Sequence, residues 1–308
     1  MTTTGHPPRT ETDWFGDLDD DLNMDDIRDL EDEHPLPEIS RTTAFPDRTS
    51  DEHLSLDAGI ARLHQIGIAG IPMQHLAMQH RIHTHGKTGK INKGWIGLTV
   101  EAALGQRPNT RRGMDFGDWE LKTTTALRPA CPDPGQCGLG SPCVACRQPA
   151  MDNLSGWQIL SVETLDPHEV MAYPFMASPL REKIERTLLA VLTKGPGVND
   201  PVLLVAAKQL ILDGELLAQI ATDYGRVRQT LLNNGGDISE LSASLGKALQ
   251  VRPKGAKNSR NKGFYLVEKA MLAAAQIEPA WNPQGSIPGG KTENNGNTVK
   301  NRKHTGKT

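Results

Sequence analysis

Asp115, Glu120 and Lys122 stand within eight residues, in the run Asp115-Phe-Gly-Asp-Trp-Glu120-Leu-Lys122. Residues two apart on a strand point to the same side, so Glu120 and Lys122 share one face while Leu121 and Thr123 take the other. A carboxylate just before a strand and a second one on it can converge on a single divalent cation. Hard oxygen donors suit Mg2+ and leave room for water and a phosphate. A cation held there polarises a phosphodiester and helps form hydroxide, with Lys122 placed to hold the attacking water or offset charge at phosphorus. The pattern is short, and the same residues also describe a surface strand with an i,i+2 ion pair.

A second group has soft donors. Cys131, Cys137, Cys143 and Cys146 follow one another at spacings x5, x5 and x2, among Pro132, Pro134, Gly135, Gly138, Gly140 and Pro142. Four thiolates in a turn-rich loop suit a tetrahedral, structural Zn2+. An iron–sulfur cluster, or unligated thiols or disulfides, are the alternatives. No histidine stands near these cysteines in sequence, so a thiol catalyst is not expected. His75, His80, His83 and His85 lack a consistent helical phase and alternate with no carboxylate; they read as surface or DNA-facing side chains.

These groups need a frame. Leu56, Ile60 and Leu63 mark a helical face within residues 53–85, with Gly67 or Gly70 to end it. Trp95, Leu98 and Ala102 predict a helix over 91–104, with Gly94 and Gly97 on a surface of close approach. A turn and strand follow over 113–125. Residues 128–150, rich in Pro, Gly and Cys, form a loop or metal knuckle, and 156–165 alternate as a strand. Residues 180–192 read as a helix running into a strand, and 202–222 and 225–250 as mostly helical, interrupted at Gly235 and Gly236. A short strand is expected near Leu249–Arg252, and 263–276 begin Gly-Phe-Tyr-Leu and continue as a helix. Strands alternating with helices make the class α/β.

The formal net charge of −3 hides a split. Residues 1–52 hold 16 acidic and 4 basic residues, whereas the remaining 256 hold 21 acidic and 30 basic. The division predicts a disordered acidic tail over 1–52, a folded basic domain over 53–280 with the cysteine-rich insertion at 128–150, and a disordered polar and basic tail over 281–308. Trp14, Phe15, Leu18, Leu22 and Ile27 give the acidic tail the makings of a short helix for a protein partner; alternatively it is simply solvated, or it mimics DNA and damps non-specific binding. Basic groups at Arg81, Lys87, Lys90 and Lys93, at Arg107, Arg111 and Arg112, and at Arg252, Lys254, Lys257, Arg260 and Lys262 suit a phosphate backbone. No stretch reaches 18 apolar residues, which argues against a membrane-spanning helix. The amino terminus lacks a basic region followed by an apolar run, so the expected compartment is the cytoplasm.

Five segments in order resemble the MutH/Sau3AI family of DNA endonucleases, which joins a methyl-directed mismatch-repair enzyme to type II restriction enzymes. They are Lys93-Gly-Trp-Ile-Gly-Leu-Thr-Val-Glu101, the Asp115 to Lys122 run, Leu180-Arg-Glu-Lys183-Ile-Glu-Arg-Thr-Leu-Leu, Leu249-Gln-Val-Arg252-Pro-Lys254-Gly-Ala and Lys262-Gly-Phe-Tyr265-Leu. The resemblance spans roughly residues 90–276. It implies a restriction-endonuclease-like core, a mixed sheet flanked by helices. It implies Mg2+ ligands at Asp115 and Glu120, with Glu101 as an auxiliary carboxylate, Lys122 as the catalytic lysine and Lys183 as a second lysine near the phosphate. Lys93, Arg252, Lys254 and Tyr265 become the DNA-contacting set. On residue type alone, Glu101 also fits a solvated helix end, and Lys183, among Arg181, Glu182, Glu185 and Arg186, fits an ordinary charged helix face.

The implied activity is Mg2+-dependent, sequence-specific cleavage of double-stranded DNA to 5′-phosphate and 3′-hydroxyl ends, as in a type II restriction enzyme. The alternatives are a partner-activated strand-nicking repair enzyme and a zinc-stabilised DNA-binding protein without catalysis. Monomer and dimer both remain open. The chain departs from the family in three ways. Four residues separate Asp115 from Glu120, where the repair enzyme has a longer gap and some restriction enzymes this shorter one. The cysteine-rich segment lies outside the usual family core, and both tails are additions.

Overall fold

The computed structural model describes residues 54–86, 89–106, 114–133, 137, 142–197, 200–255 and 260–277. Both expected tails, the boundaries at 53 and 280, and Lys87, Arg107, Arg111, Arg112 and Lys257 lie outside the described residues. The elements in order are α1 (Leu56–Ala69), α2 (Met73–Gln79), α3 (Trp95–Ala103), β1 (Glu120–Leu127), α4 (Val144–Arg147), β2 (Leu160–Thr164), α5 (Pro167–Ala172), α6 (Pro179–Glu185), β3 (Thr187–Lys194), β4 (Leu203–Gln209), α7 (Gly214–Asn233), β5 (Leu249–Pro253), β6 (Lys262–Leu266) and α8 (Glu268–Ala274). Among the described residues no helix is long and apolar enough to cross a membrane.

The fold is α/β, and its strands form two three-stranded sheets where the sequence reading expected one. The first has the order β1-β3-β4, with β1 parallel and β4 antiparallel to β3. The second has the order β2-β6-β5 and is antiparallel throughout. They meet along β1: Gln158 N donates to Thr125 O at 3.2 Å, and Thr124 Oγ1 to Gln158 O at 3.3 Å. The chain entering β2 thus covers part of the edge of β1 that β3 leaves free.

β3, Thr-Leu-Leu-Ala-Val-Leu-Thr-Lys, is buried on both faces from Thr187 to Thr193, as a near-continuous apolar strand must be. Its alternation divides the interior. Leu188, Ala190 and Leu192 pack with α1, α2 and α3 residues such as Leu63, Leu76 and Val100. Leu189 and Val191 join the larger core made by α6, α7, α8 and the second sheet. Burial of this kind contributes about 25 cal/mol per Å2 of apolar surface.

Three sequence expectations change. Residues 203–209 form strand β4 within a stretch expected to be helical. The run Val202-Leu-Leu-Val-Ala-Ala is equally compatible with a buried helix, because periodicity cannot separate the two for short apolar runs. The helical part starts at α7, after Asp213, and its Leu216, Ile220, Tyr224, Val227 and Leu231 are buried at spacings of three and four. α7 ends at Asn233, and Gly235 and Gly236 follow at φ 68° and 89°, so the expected helix over 225–250 stops well short. On α3 the buried face is Trp95, Thr99, Val100 and Ala103, not Trp95, Leu98 and Ala102.

Asp223 is fully buried on α7. Its Oδ2 accepts from the backbone N–H groups of Lys247, Ala248 and Leu249 at 2.9, 2.7 and 3.0 Å, and its Oδ1 from Gln219 Nε2 at 2.8 Å. One carboxylate therefore fixes the start of β5 against α7. Gly246 is needed in the same turn, because a Cβ there would lie 1.8 Å from Leu249 O. Asp223→Ala strands three backbone donors, those of Ala248 and Leu249 buried, and the expected loss of unfolding free energy is about 3 kcal/mol or more. Denaturant titration checks it; a loss under about 1 kcal/mol contradicts this role.

Candidate active site and cysteine cluster

The turn ahead of β1 is set by aromatic packing. Phe116 and Trp119 stack with centroids 4.0 Å apart and planes 4° from parallel. Gly117, at φ 85°, reverses the chain between them, and Phe116 N donates to Trp119 O at 3.0 Å. Trp119 is buried, packs over Gly59 of α1 and donates through Nε1 to Leu54 O at 2.6 Å. This clamp brings Asp115 beside the first residues of β1, where its Oδ2 accepts from Leu121 N at 3.1 Å. Gln106, just past α3, donates to Asp115 O at 2.6 Å and joins that helix to the turn.

Glu120 opens β1 and is buried. Its Oε1 accepts from Lys122 Nζ at 2.6 Å and lies 3.4 Å from Lys183 Nζ. Among the described residues its buried Oε2 has no hydrogen-bond partner, the position at which a bound cation would satisfy the carboxylate. Lys183 comes from α6, whose start is fixed by Pro179 and by the Ser178 side chain accepting from Arg181 N at 3.2 Å. β1 and β3 pair from Glu120 opposite Thr187, and Thr187 Oγ1 donates to Lys183 O at 2.7 Å. The end of α6 is thereby held at the mouth of β1.

Glu101, on α3, completes the cluster. Burial, followed by the charge of Asp115, pushes its carboxyl up to about 7, with Lys122 opposing. Burial and the charge of Glu120 raise Asp115 as well, opposed by the Leu121 N–H and by Lys122 and Lys183. The structure thus brings together Glu101, Asp115, Glu120, Lys122 and Lys183. The three carboxylates repel, the lysines occupy one oxygen of Glu120, and the carboxylate oxygens do not close into a cage. Among the described residues only the four cysteines converge in that way.

The cysteine Sγ atoms all lie within 4.8 Å of one another, and Cys146 is buried. Cys131 and Cys143 are 3.6 Å apart and Cys137 and Cys146 3.5 Å, with no disulfide. A tetrahedral ion with Zn–S bonds of 2.3 Å would separate its sulfurs by about 3.8 Å, so the cluster fits a metal. The Cys146 backbone N–H lowers the Cys143 thiol to about 7, while burial raises Cys146 to about 12. The cluster follows the far end of β1, roughly 23 Å from Glu120 at 3.3 Å per residue. It supports the opposite end of the sheet, where Arg128 Nη1 donates to Thr193 O and Pro201 O at 3.2 and 2.8 Å.

Arg252 and Tyr265 sit on the second sheet. Arg252 Nε and Nη2 donate to Gln250 Oε1 at 3.0 and 2.7 Å, and Tyr265 pairs across from Gln250. Their side of β5 and β6 is opposite the buried Leu249, Val251, Phe264 and Leu266. Lys254 follows β5 and is half-buried, and Lys93 is exposed just ahead of α3. His80, His83 and His85 are exposed and His75 half-buried.

Sequence reasoning missed three residues here. Gln106 and Gln250 are uncharged and carry no spacing signal. Glu163, on β2, stands 3.3 Å from Lys183 Nζ through Oε1, and a charged residue on a short strand ordinarily faces solvent. No family model matches this chain, and no curated protein matches it.

A raised carboxyl pKa makes the folded state hold its proton more tightly than the unfolded one. Without a cation, stability from Glu101 therefore falls as pH rises from the ordinary carboxylate range through about 7. A cation needs the deprotonated form, so Mg2+ is expected to raise the melting temperature of zinc-loaded protein more at about pH 8 than at about pH 6. Thermal melts check this, and Glu101→Gln should flatten the difference. Equal shifts at both pH values contradict it.

Proposed function

We propose that this chain is a divalent-metal-dependent DNA endonuclease of restriction-endonuclease-like architecture. The observation that carries the reading is Glu120: a buried carboxylate with one oxygen between two lysines and the other without a partner, beside Asp115 and Glu101. The ordered resemblance of five segments to the MutH/Sau3AI family supports it. Asp115 and Glu120, with Glu101 beside them, would hold Mg2+, which when bound polarises the phosphodiester and acidifies water.

Lys122 orients the attacking water and Lys183 offsets charge on the phosphoryl oxygens. The water gives up a proton to solvent and its oxygen bonds to phosphorus as the bond to the 3′-oxygen breaks. That oxygen takes a proton, leaving a 3′-hydroxyl and a 5′-phosphate. Arg252, Lys254, Tyr265 and Lys93 supply duplex contacts, the first three on or beside the sheet that carries Glu163. Restriction of double-stranded DNA in the cytoplasm is the primary reading. A single such carboxylate cluster among the described residues also suits strand nicking under a partner's control.

One observation favours the rival of a DNA-binding protein without catalysis: the carboxylate oxygens do not form a ready cage, whereas the sulfurs do. Cleavage separates the two. Plasmid carrying many short palindromic sites should be nicked or cut with Mg2+ and not with EDTA, and Lys122→Ala should slow the reaction about 100-fold or more. Binding without cleavage by folded, zinc-loaded protein on methylated and unmethylated plasmid alike would overturn the nuclease.

The cysteine cluster is proposed to hold structural Zn2+ through Cys131, Cys137, Cys143 and Cys146. Elemental analysis is expected to find one zinc per chain, with zinc lost and the melting temperature lowered in Cys146→Ser. Iron with visible charge-transfer absorption would assign an iron–sulfur centre instead.

A further inference from the structure

Lys183 reaches carboxylates from both sheets. Its Nζ lies 3.4 Å from Glu120 Oε1 on β1 and 3.3 Å from Glu163 Oε1 on β2. Lys122 differs: among the described residues its only carboxylate partner is Glu120. The two lysines thus share one oxygen of Glu120, and Lys183 alone has a second acceptor.

The backbone is built irregularly at Glu163. The register between β2 and β6 shifts between Ser161 and Glu163. Such a bulge re-aims a side chain and is common beside functional sites. Gly263 of β6 lies against the bulge, and a Cβ there would come 2.7 Å from Glu163 O. Glycine permits the approach, and Glu163 remains half-buried where it meets Lys183.

A cation arriving at Glu120 competes with both ammonium groups for the same carboxylate. Among the described residues Lys122 has no second ion pair to turn to. Lys183 can move onto Glu163 and keep a charged partner. We propose that Glu163 is a positioning residue: it takes over Lys183 when a divalent cation occupies Glu120, holding the ammonium beside the cluster as the cation draws on the charge of the shared carboxylate. This rests on the reading of Glu120 as a cation ligand.

The test is Mn2+ titration calorimetry on the zinc-loaded full chain. Glu169→Gln is the charge control. Its carboxyl feels the charges of Glu163 and Lys183, yet it forms no ion pair with Lys183. Glu163→Gln leaves Lys183 with Glu120 alone, so Mn2+ affinity is expected to fall about fivefold to tenfold, against less than about twofold for Glu169→Gln. Glu163→Asp should restore part of the loss, and thermal melts establish that each variant is folded. Plasmid cleavage by Glu163→Gln should need more Mg2+ for half-maximal rate while approaching the wild-type maximum.

Equal affinities for Glu163→Gln and Glu169→Gln overturn the positioning role, provided wild type binds Mn2+ and Glu120→Gln abolishes that binding. Wild-type protein without a Glu120-dependent Mn2+ site overturns the cation reading itself and this role with it.

Discussion

A buried carboxylate must be paired, and the pairing of Glu120 organises this protein. Its side chain is almost wholly buried, and its charge is offset by Lys122 two residues along the same strand and by Lys183 from α6. The first partner is local and needs only the alternation of a strand. The second is 63 positions away in the chain and requires β1 to lie parallel to β3 in the register that sets Glu120 opposite Thr187. Removing either lysine would leave a buried charge poorly compensated, whose cost exceeds the worth of the pair itself. The site and the topology therefore depend on each other.

β3 is where that dependence is met. Buried on both faces, it divides one apolar core beneath α1, α2 and α3 from another beneath α6, α7 and α8. Glu101 and the Phe116–Trp119 clamp belong to the first side; Lys183 and Glu163 come from the second. The five charged groups converge only because both cores are packed against the same strand. At the other end of β1, where the chain is poor in apolar material, four sulfurs and the Arg128 hydrogen bonds take over the role of a core. A metal there would stiffen the end of the sheet that the carboxylates do not reach.

Much of this arrangement was legible from the residues. Strand alternation puts Glu120 and Lys122 on one face with Asp115 just ahead of the strand, and spacing gathers the four cysteines, because both signals are local. Lys183 and Glu101 read from residue type as ordinary charged helix positions; a family resemblance singled them out, and burial gathered them with the others. β4 was concealed because an apolar run of that length suits a helix or a strand equally. Asp223 left a trace that went unused: it lies three residues after Ile220 and four before Val227, on the buried face of α7. Glu163 left none. Its meaning arises from a bulge, a glycine on the neighbouring strand and a lysine brought by another helix, and these are properties of the folded chain alone.

The carboxylates around Glu120 are proposed to hold a hard divalent cation beside a phosphodiester. The most direct measurement is anomalous diffraction from crystals of the zinc-loaded chain grown with a short DNA duplex and Mn2+. A manganese peak is expected within ligating distance of Asp115 and Glu120, with Lys122 displaced from Glu120 toward the phosphate. Manganese absent from these carboxylates, with Lys122 and Lys183 still paired to Glu120 against bound duplex, would contradict it.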